Sequence, residues 1–181
     1  MISVKDLILT NDNKIIDISN INIDYIDEEN IKNNLQIKKK NKDYLILGNS
    51  FNMDSIIGKL LNSENNKNKE IFNKNLKLFF DVKKIYLDKN NVINNLKGFL
   101  TYNKNEISEL ILESKFSNQK NIKLTIKNNS KEKITTLFSQ EAKPLVDRYK
   151  FIKGFEGGEL DFYSIKKDDI TNSTLKIDNF K

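Results

Sequence analysis

The chain has 181 residues, 38% of them apolar, a net charge of +6, and neither Cys nor His. That length holds one ordinary domain or two very small ones. Without Cys or His there is no disulfide, no thiol nucleophile, no imidazole base and no zinc cluster built on them.

The apolar residues are large, with Ile, Leu and Phe dominant, so the chain can bury a thin core instead of staying disordered. Lys, Asn and Ile are abundant, the residues that AT-rich codons favour, so runs of Lys carry little weight by themselves. A basic balance suits a nucleic-acid binder or a protein working near anionic lipid. Here the charges are spread along the chain. The densest run, Lys38-Lys39-Lys40 with Lys42, has no interleaved aromatic residue and reads as a solvated loop. No apolar run approaches the ~20 residues that span a bilayer. The start, Met1-Ile2-Ser3-Val4-Lys5-Asp6, lacks the pattern of a signal peptide. Work outside the cytoplasm would therefore require a targeting segment beyond this one, and composition leaves the compartment open.

Alternation of apolar and polar residues is the main signal along the chain. Ile16, Ile18, Ile21, Ile23 and Tyr25 recur near period two, with a slip at Ser19-Asn20 that predicts a bulge or turn. Tyr44 to Leu47 is a short apolar run ending at Gly48. Met53, Ile56, Ile57, Leu60 and Leu61 have helical spacing, which predicts a helix over 52–61 capped by Asn52 or Asp54. The polar tract 62–69 reads as a flexible loop.

From Leu76 onward the pattern predicts an antiparallel meander. Leu76, Leu78, Phe80 and Val82 alternate with polar neighbours and Phe79, and Ile85-Tyr86-Leu87 follows. Asp88 to Asn91 is a turn. Leu96, Gly98, Leu100 and Tyr102 alternate next, then Leu110, Leu112 and Phe116, then Ile122, Leu124 and Ile126, then Ile134, Thr136 and Phe138. Asn- and Ser-rich turns separate them at roughly dozen-residue spacing. A second helix is predicted over 140–149, with Ala142, Leu145, Val146 and Tyr149 on one face and Pro144 in its first turn. Gly157-Gly158 reads as a turn, Leu160, Phe162 and Ser164 as a strand start, 166–169 as a polar turn, and Thr174 to Phe180 as a final strand. One β-rich segment over 1–181 is the expected organisation.

Chemistry is sparse. Gly154, Gly157 and Gly158 lack the spacing and the Lys-Ser or Lys-Thr of a phosphate loop. The carboxylate groupings Asp27-Glu28-Glu29, Asp168-Asp169 and Glu156 with Glu159 sit in polar turns. Nothing gives them the opposed environments that hydrolytic pairs need. Lys143 with Asp147 suits a surface ion pair at helical spacing. Arg148, the sole Arg, suits a water-facing position better than a phosphate site. Phe79 and Phe99 lie off the apolar stripe, where base-stacking aromatics would lie in a nucleic-acid-binding sheet. The expectation is a non-enzyme with no cofactor, no metal and no nucleic-acid partner.

Tyr44-Leu45-Ile46-Leu47-Gly48-Asn49-Ser50-Phe51-Asn52, a short helix, a polar spacer and a meander come in a familiar order. Gly157-Gly158-Glu159-Leu160 and Leu175-Lys176-Ile177-Asp178-Asn179-Phe180 close the series. The stretch from Tyr44 to Lys181 resembles the C-terminal region of the AsmA-like superfamily, the group that includes YhdP and TamB, in an alphaproteobacterial form. The resemblance implies a long, curved antiparallel sheet shaped as a groove, with an apolar concave face that accepts phospholipid acyl chains. It implies a periplasmic location within an inner-membrane-anchored protein. The N-terminal anchor and most of the repeated sheet would lie outside this chain, and further repeats of the longer protein would be partners. The alternation supplies candidates for the groove lining: Leu76, Leu78, Phe80, Leu96, Leu100, Leu110, Leu112, Ile122, Leu124 and Ile126. The same residues would equally serve as an ordinary core under the two helices. A structural scaffold of the envelope and a basic nucleic-acid module are the alternative functions.

Overall fold

Short polar side chains punctuate the chain by bonding their own backbone, and strands form between these points. The Asp88 carboxylate accepts from the N–H groups of Asn90 and Asn91, both at 2.8 Å. Asn129 does the same for Lys131 (2.8 Å) and Glu132 (3.0 Å). Asn41, Gln119 and Asp168 take positive φ at other turns.

The computed structural model describes residues 1–11, 13, 15–54, 75–103, 106–129, 131–149 and 156–180. The first half contains β1 (Ile2–Lys5), β2 (Ile8–Leu9), β3 (Ile15–Asp17), β4 (Asn20–Ile26), β5 (Lys32–Lys40) and β6 (Asp43–Asn52). The second contains β7 (Leu76–Tyr86), β8 (Val92–Asn103), β9 (Glu106–Phe116), β10 (Asn121–Asn128), β11 (Lys133–Ser139), α1 (Lys143–Tyr149), β12 (Gly157–Lys167) and β13 (Ile170–Phe180). Eleven strands make one open sheet in the order β1-β4-β5-β6-β7-β8-β9-β10-β11-β12-β13, and β2 pairs with β3 apart from it.

The antiparallel meander holds from β7 to β13, but the whole sheet is mixed, because β6 and β7 run parallel. Parallel neighbours cannot be joined by a tight turn. The connection between Asn52 and Leu76 supplies the length, and local alternation carries no record of strand direction. Among the described residues one short helix is complete, Lys143–Tyr149. The predicted helix over 52–61 lies mainly outside the described residues, and Asn52 ends β6. The tract 62–69 lies outside them too.

Three further expectations are corrected. Lys38, Lys39 and Lys40 are in β5, not a loop, since an edge of exposed Lys fits a strand whose other residues are Asn33, Leu35 and Ile37. Gly157 and Gly158 begin β12 with φ of 71° and 78°, so the left-handed backbone bends the strand's start without ending pairing. The final strand starts at Ile170, because Thr171, Asn172 and Ser173 continue the ladder with β12 despite their polarity.

Bulges keep the apolar residues on one face. Val82 lies opposite Leu96 and Ile85 opposite Ile93, and all four are buried although they stand three positions apart in each strand. The β8–β9 register shifts between Asn94 and Lys97, with Asn95 at φ 55°. One extra residue there flips the alternation and restores the face.

The core has two parts. Ala142, Leu145 and Val146, just before and within α1, pack against Val82, Ile85, Leu87, Ile93, Leu96, Phe116, Ile122 and Leu160. The Ala142 carbonyl accepts from the Leu145 and Val146 N–H groups at 3.0 Å and starts the helix. At the opposite end of the strands, Ile18 with Ile15 of β3 packs on Tyr44, Leu76, Leu78 and Tyr102. The sheet face is thus covered at both ends, by a helix at one and by the β3 segment at the other.

Candidate functional site

In an antiparallel pair, directly opposed residues project to the same face. Following the opposed pairs from strand to strand gives rows that cross the sheet. One row reads Val4–Ile21–Ile37–Ile46–Phe80–Gly98–Leu112–Leu124–Leu137–Phe162–Leu175. It takes one residue from every strand of the eleven-stranded sheet, and each is apolar or Gly. At a strand spacing of about 4.8 Å the rung is roughly 48 Å long.

Every residue of this rung is at least partly accessible. Val4 (47%) and Leu175 (42%) at the two edges are exposed, and the nine between them are half-buried. The next row, with Val82, Leu96, Ile122 and Leu160, is buried beneath α1. On the other side, Tyr44 and Leu76 are buried beneath Ile18. The rung therefore runs between two covered walls.

The ten lining candidates fall on this face in four rows. Phe80, Leu112 and Leu124 belong to the rung. Leu78, Leu100, Leu110 and Ile126 form the row beside it, with Leu76 opposite Tyr102 beyond. Leu96 and Ile122 lie in the row under α1. Leu76, Leu96, Leu110 and Ile122 are buried, and the other six are half-buried. Val4, Ile21, Ile37, Ile46, Leu137, Phe162 and Leu175 complete the surface. Each belongs to an alternating stretch, but only the strand registers align them.

The opposite face mixes charged and apolar side chains. One residue along each strand from the rung, the row reads Asp81–Lys97–Glu113–Lys123–Phe138–Asp161–Lys176, nearly perfect charge alternation. Lys123 pairs with Glu113 at 2.7 Å and Lys97 with Asp81 at 3.9 Å. Phe79 and Phe99 lie on this face with ring centroids 6.4 Å apart, tilted by 51°. The Lys77 ammonium sits 3.7 Å from the Phe99 centroid and 5.3 Å from that of Phe79. A cation over the rings occupies the surface a base would stack on.

The carboxylates of the turns serve structure. Asp27 accepts from the N–H groups of Glu29 (3.0 Å) and Ile31 (2.9 Å) and from the amides of Asn33 (3.0 Å) and Asn52 (2.9 Å). Desolvation pushes its carboxyl upward, and these four bonds outweigh it, so its pKa lies below the usual value. Fully buried Asn33 also accepts from the Asn52 N–H at 2.8 Å, which ties the β4–β5 turn to the end of β6. Glu28 and Glu156 are exposed, Glu29 accepts from Asn52 at 2.9 Å, and Asp168 and Asp169 form the β12–β13 turn. Glu159 lies in β12 opposite Asp178. Lys143 and Asp147 are exposed on α1, and the Arg148 and Tyr149 side chains fall outside the described positions. On the other wall, the buried Tyr44 hydroxyl donates to Asp17 at 3.0 Å, and Lys39 pairs with the same carboxylate. Burial first, then that bond, raises the Tyr44 pKa, and the bond to Asp17 raises that of Lys39.

A cleft of about 590 Å³ borders β4–β7 and is lined by Asn22, Asn34, Gln36, Asn49 and Asp24 among others. Its amides bond one another: Gln36 to Asn22 at 2.8 Å, Asn49 to Asn34 at 2.9 Å, and Asn34 to Asp24 at 2.9 Å. These groups are already partnered, so the rung is the stronger candidate. Among the described residues no helix is long and apolar enough to cross a membrane. No family model, no curated protein and no solved structure matches this chain.

Proposed function

We propose that this chain is a non-catalytic segment of an envelope protein whose sheet holds phospholipid acyl chains along the apolar rung. The observation that carries it is the unbroken run of eleven apolar or Gly positions, one per strand and none fully buried. Apolar surface facing water costs about 25 cal/mol per Å², and an acyl chain laid along the rung removes part of that cost while its headgroup stays in solvent. A row continuous across neighbouring strands presents no polar step to a chain sliding along it. The sequence resemblance to AsmA-like proteins points the same way. It implies a periplasmic segment within an inner-membrane-anchored protein whose further repeats would lengthen the track.

Native mass spectrometry of the chain purified from a lipid-containing bacterial host tests this reading. Adducts with phospholipid masses are expected. Recovery of lipid-free protein that also takes up no labelled fatty acid from vesicles would refute it. A structural scaffold is the second reading, favoured by the long open edge that β13 presents.

A further inference from the structure

The two edges of the sheet differ. The β1 edge offers four residues, whereas β13 offers eleven with no Pro among them. Alternate N–H and C=O groups of such an edge strand point away from the sheet, ready to pair with another strand. Ile170 (68%) and Phe180 (59%) expose apolar side chains at its two ends.

Charge decides what fits there. The charge-alternating row ends on Lys176, which has Asp161 opposite it on β12 and, among the described residues, nothing beyond it in the sheet. Two residues on, Asp178 lies opposite Glu159, a like-charged cross-strand pair. The cation beside Asp178 is Lys176 of its own strand, at 2.7 Å. The edge therefore presents an open position for an anion next to Lys176 and one for a cation next to Asp178.

We infer that β13 pairs antiparallel with β13 of a second copy of this chain, about a two-fold axis at Ile177. In that register residue 176 lies opposite 178, so each Lys176 meets the other copy's Asp178 and the charge row alternates across the junction. Each Asp178 gains a cation opposite the one side where Glu159 repels it. Ile177 meets Ile177, which joins the two apolar faces. A two-fold contact of this kind is self-complementary and closes at the dimer. The inference is independent of lipid binding.

Sedimentation equilibrium of the whole chain over a concentration series tests it. A monomer–dimer equilibrium is expected. Lys176→Asp makes both reciprocal pairs repulsive and should weaken the dimer about tenfold. The charge swap Lys176→Asp with Asp178→Lys recreates both pairs and should restore association to within about threefold. Far-UV circular dichroism confirms that each variant is folded. A monomer at all concentrations, a dimer indifferent to Lys176→Asp, a swap that restores nothing, or growth beyond the dimer would each overturn the inference.

Discussion

Leu124→Asn replaces one rung side chain by a polar one of nearly equal volume. Leu124 is half-buried, with Leu112 opposite it on β9 and Leu137 on β11. A rung side chain spans one strand spacing, about 4.8 Å, and so faces roughly four methylenes of an extended acyl chain. Each buried methylene contributes about 0.8 kcal/mol, and an open groove shields about half of the chain's circumference. The loss comes to about 1.6 kcal/mol, or about fifteenfold in Kd. Displacement of a fluorescent fatty acid measures it. Ile111→Asn is the matched control, because Ile111 is half-buried on the neighbouring strand and lies opposite Thr125 and Phe99 on the other face of the sheet. Its effect on Kd should stay below about twofold, while urea midpoints report the stability cost of each change. Equal losses for the two variants, or no loss for Leu124→Asn, would refute the assignment of the rung as the binding surface.

Gly98→Ala should destabilise the sheet by about 3 kcal/mol in urea unfolding, from a positive-φ side chain and one or two broken ladder bonds. A Cβ there would stand 1.9 Å from the Ile111 carbonyl oxygen, which is backbone and cannot rotate away. Val146→Asp places a charge at a fully buried position on the inner face of α1 and should cost about 4 kcal/mol, read as a lowered thermal midpoint. The Asp27 pKa is lowered on folding, so its contribution is complete above the ordinary carboxylate range and fades as pH falls through the folded value. Wild type should therefore lose more stability between neutral and acid pH than Asp27→Asn, with the difference read from urea midpoints at each pH. Asn33→Ala should cost about 2 kcal/mol in the same assay, because it leaves the Asn52 N–H without its acceptor.

Much of the sheet is legible in the sequence because strand side chains alternate with period two. That period alone puts Leu76, Leu78 and Phe80 on one face and Phe79 on the other, and Asx turns such as Asp88–Asn91 mark where strands end. The bulge at Asn95 and the strand through Lys38–Lys40 are less legible. A left-handed Asn has no unique sequence signature, and an exposed Lys run suits a loop or an outward strand face equally. The ten lining candidates come from within strands β7 to β10, where alternation is cleanest. Val4, Ile21, Ile37, Ile46, Leu137, Phe162 and Leu175 alternate too, but nothing local tells which of them oppose one another.

By itself, then, the sequence determined a β-rich chain with two chemically distinct strand faces and a core without Cys or His. Tertiary structure decided the rest. It set β6 parallel to β7, which depends on where the connection after Asn52 returns and not on any alternation within either strand. It also set the registers that line up one apolar residue from each of eleven strands. Register is fixed by turn lengths and bulges acting between strands, and a one-residue slip at any junction would break the rung while leaving every local pattern unchanged.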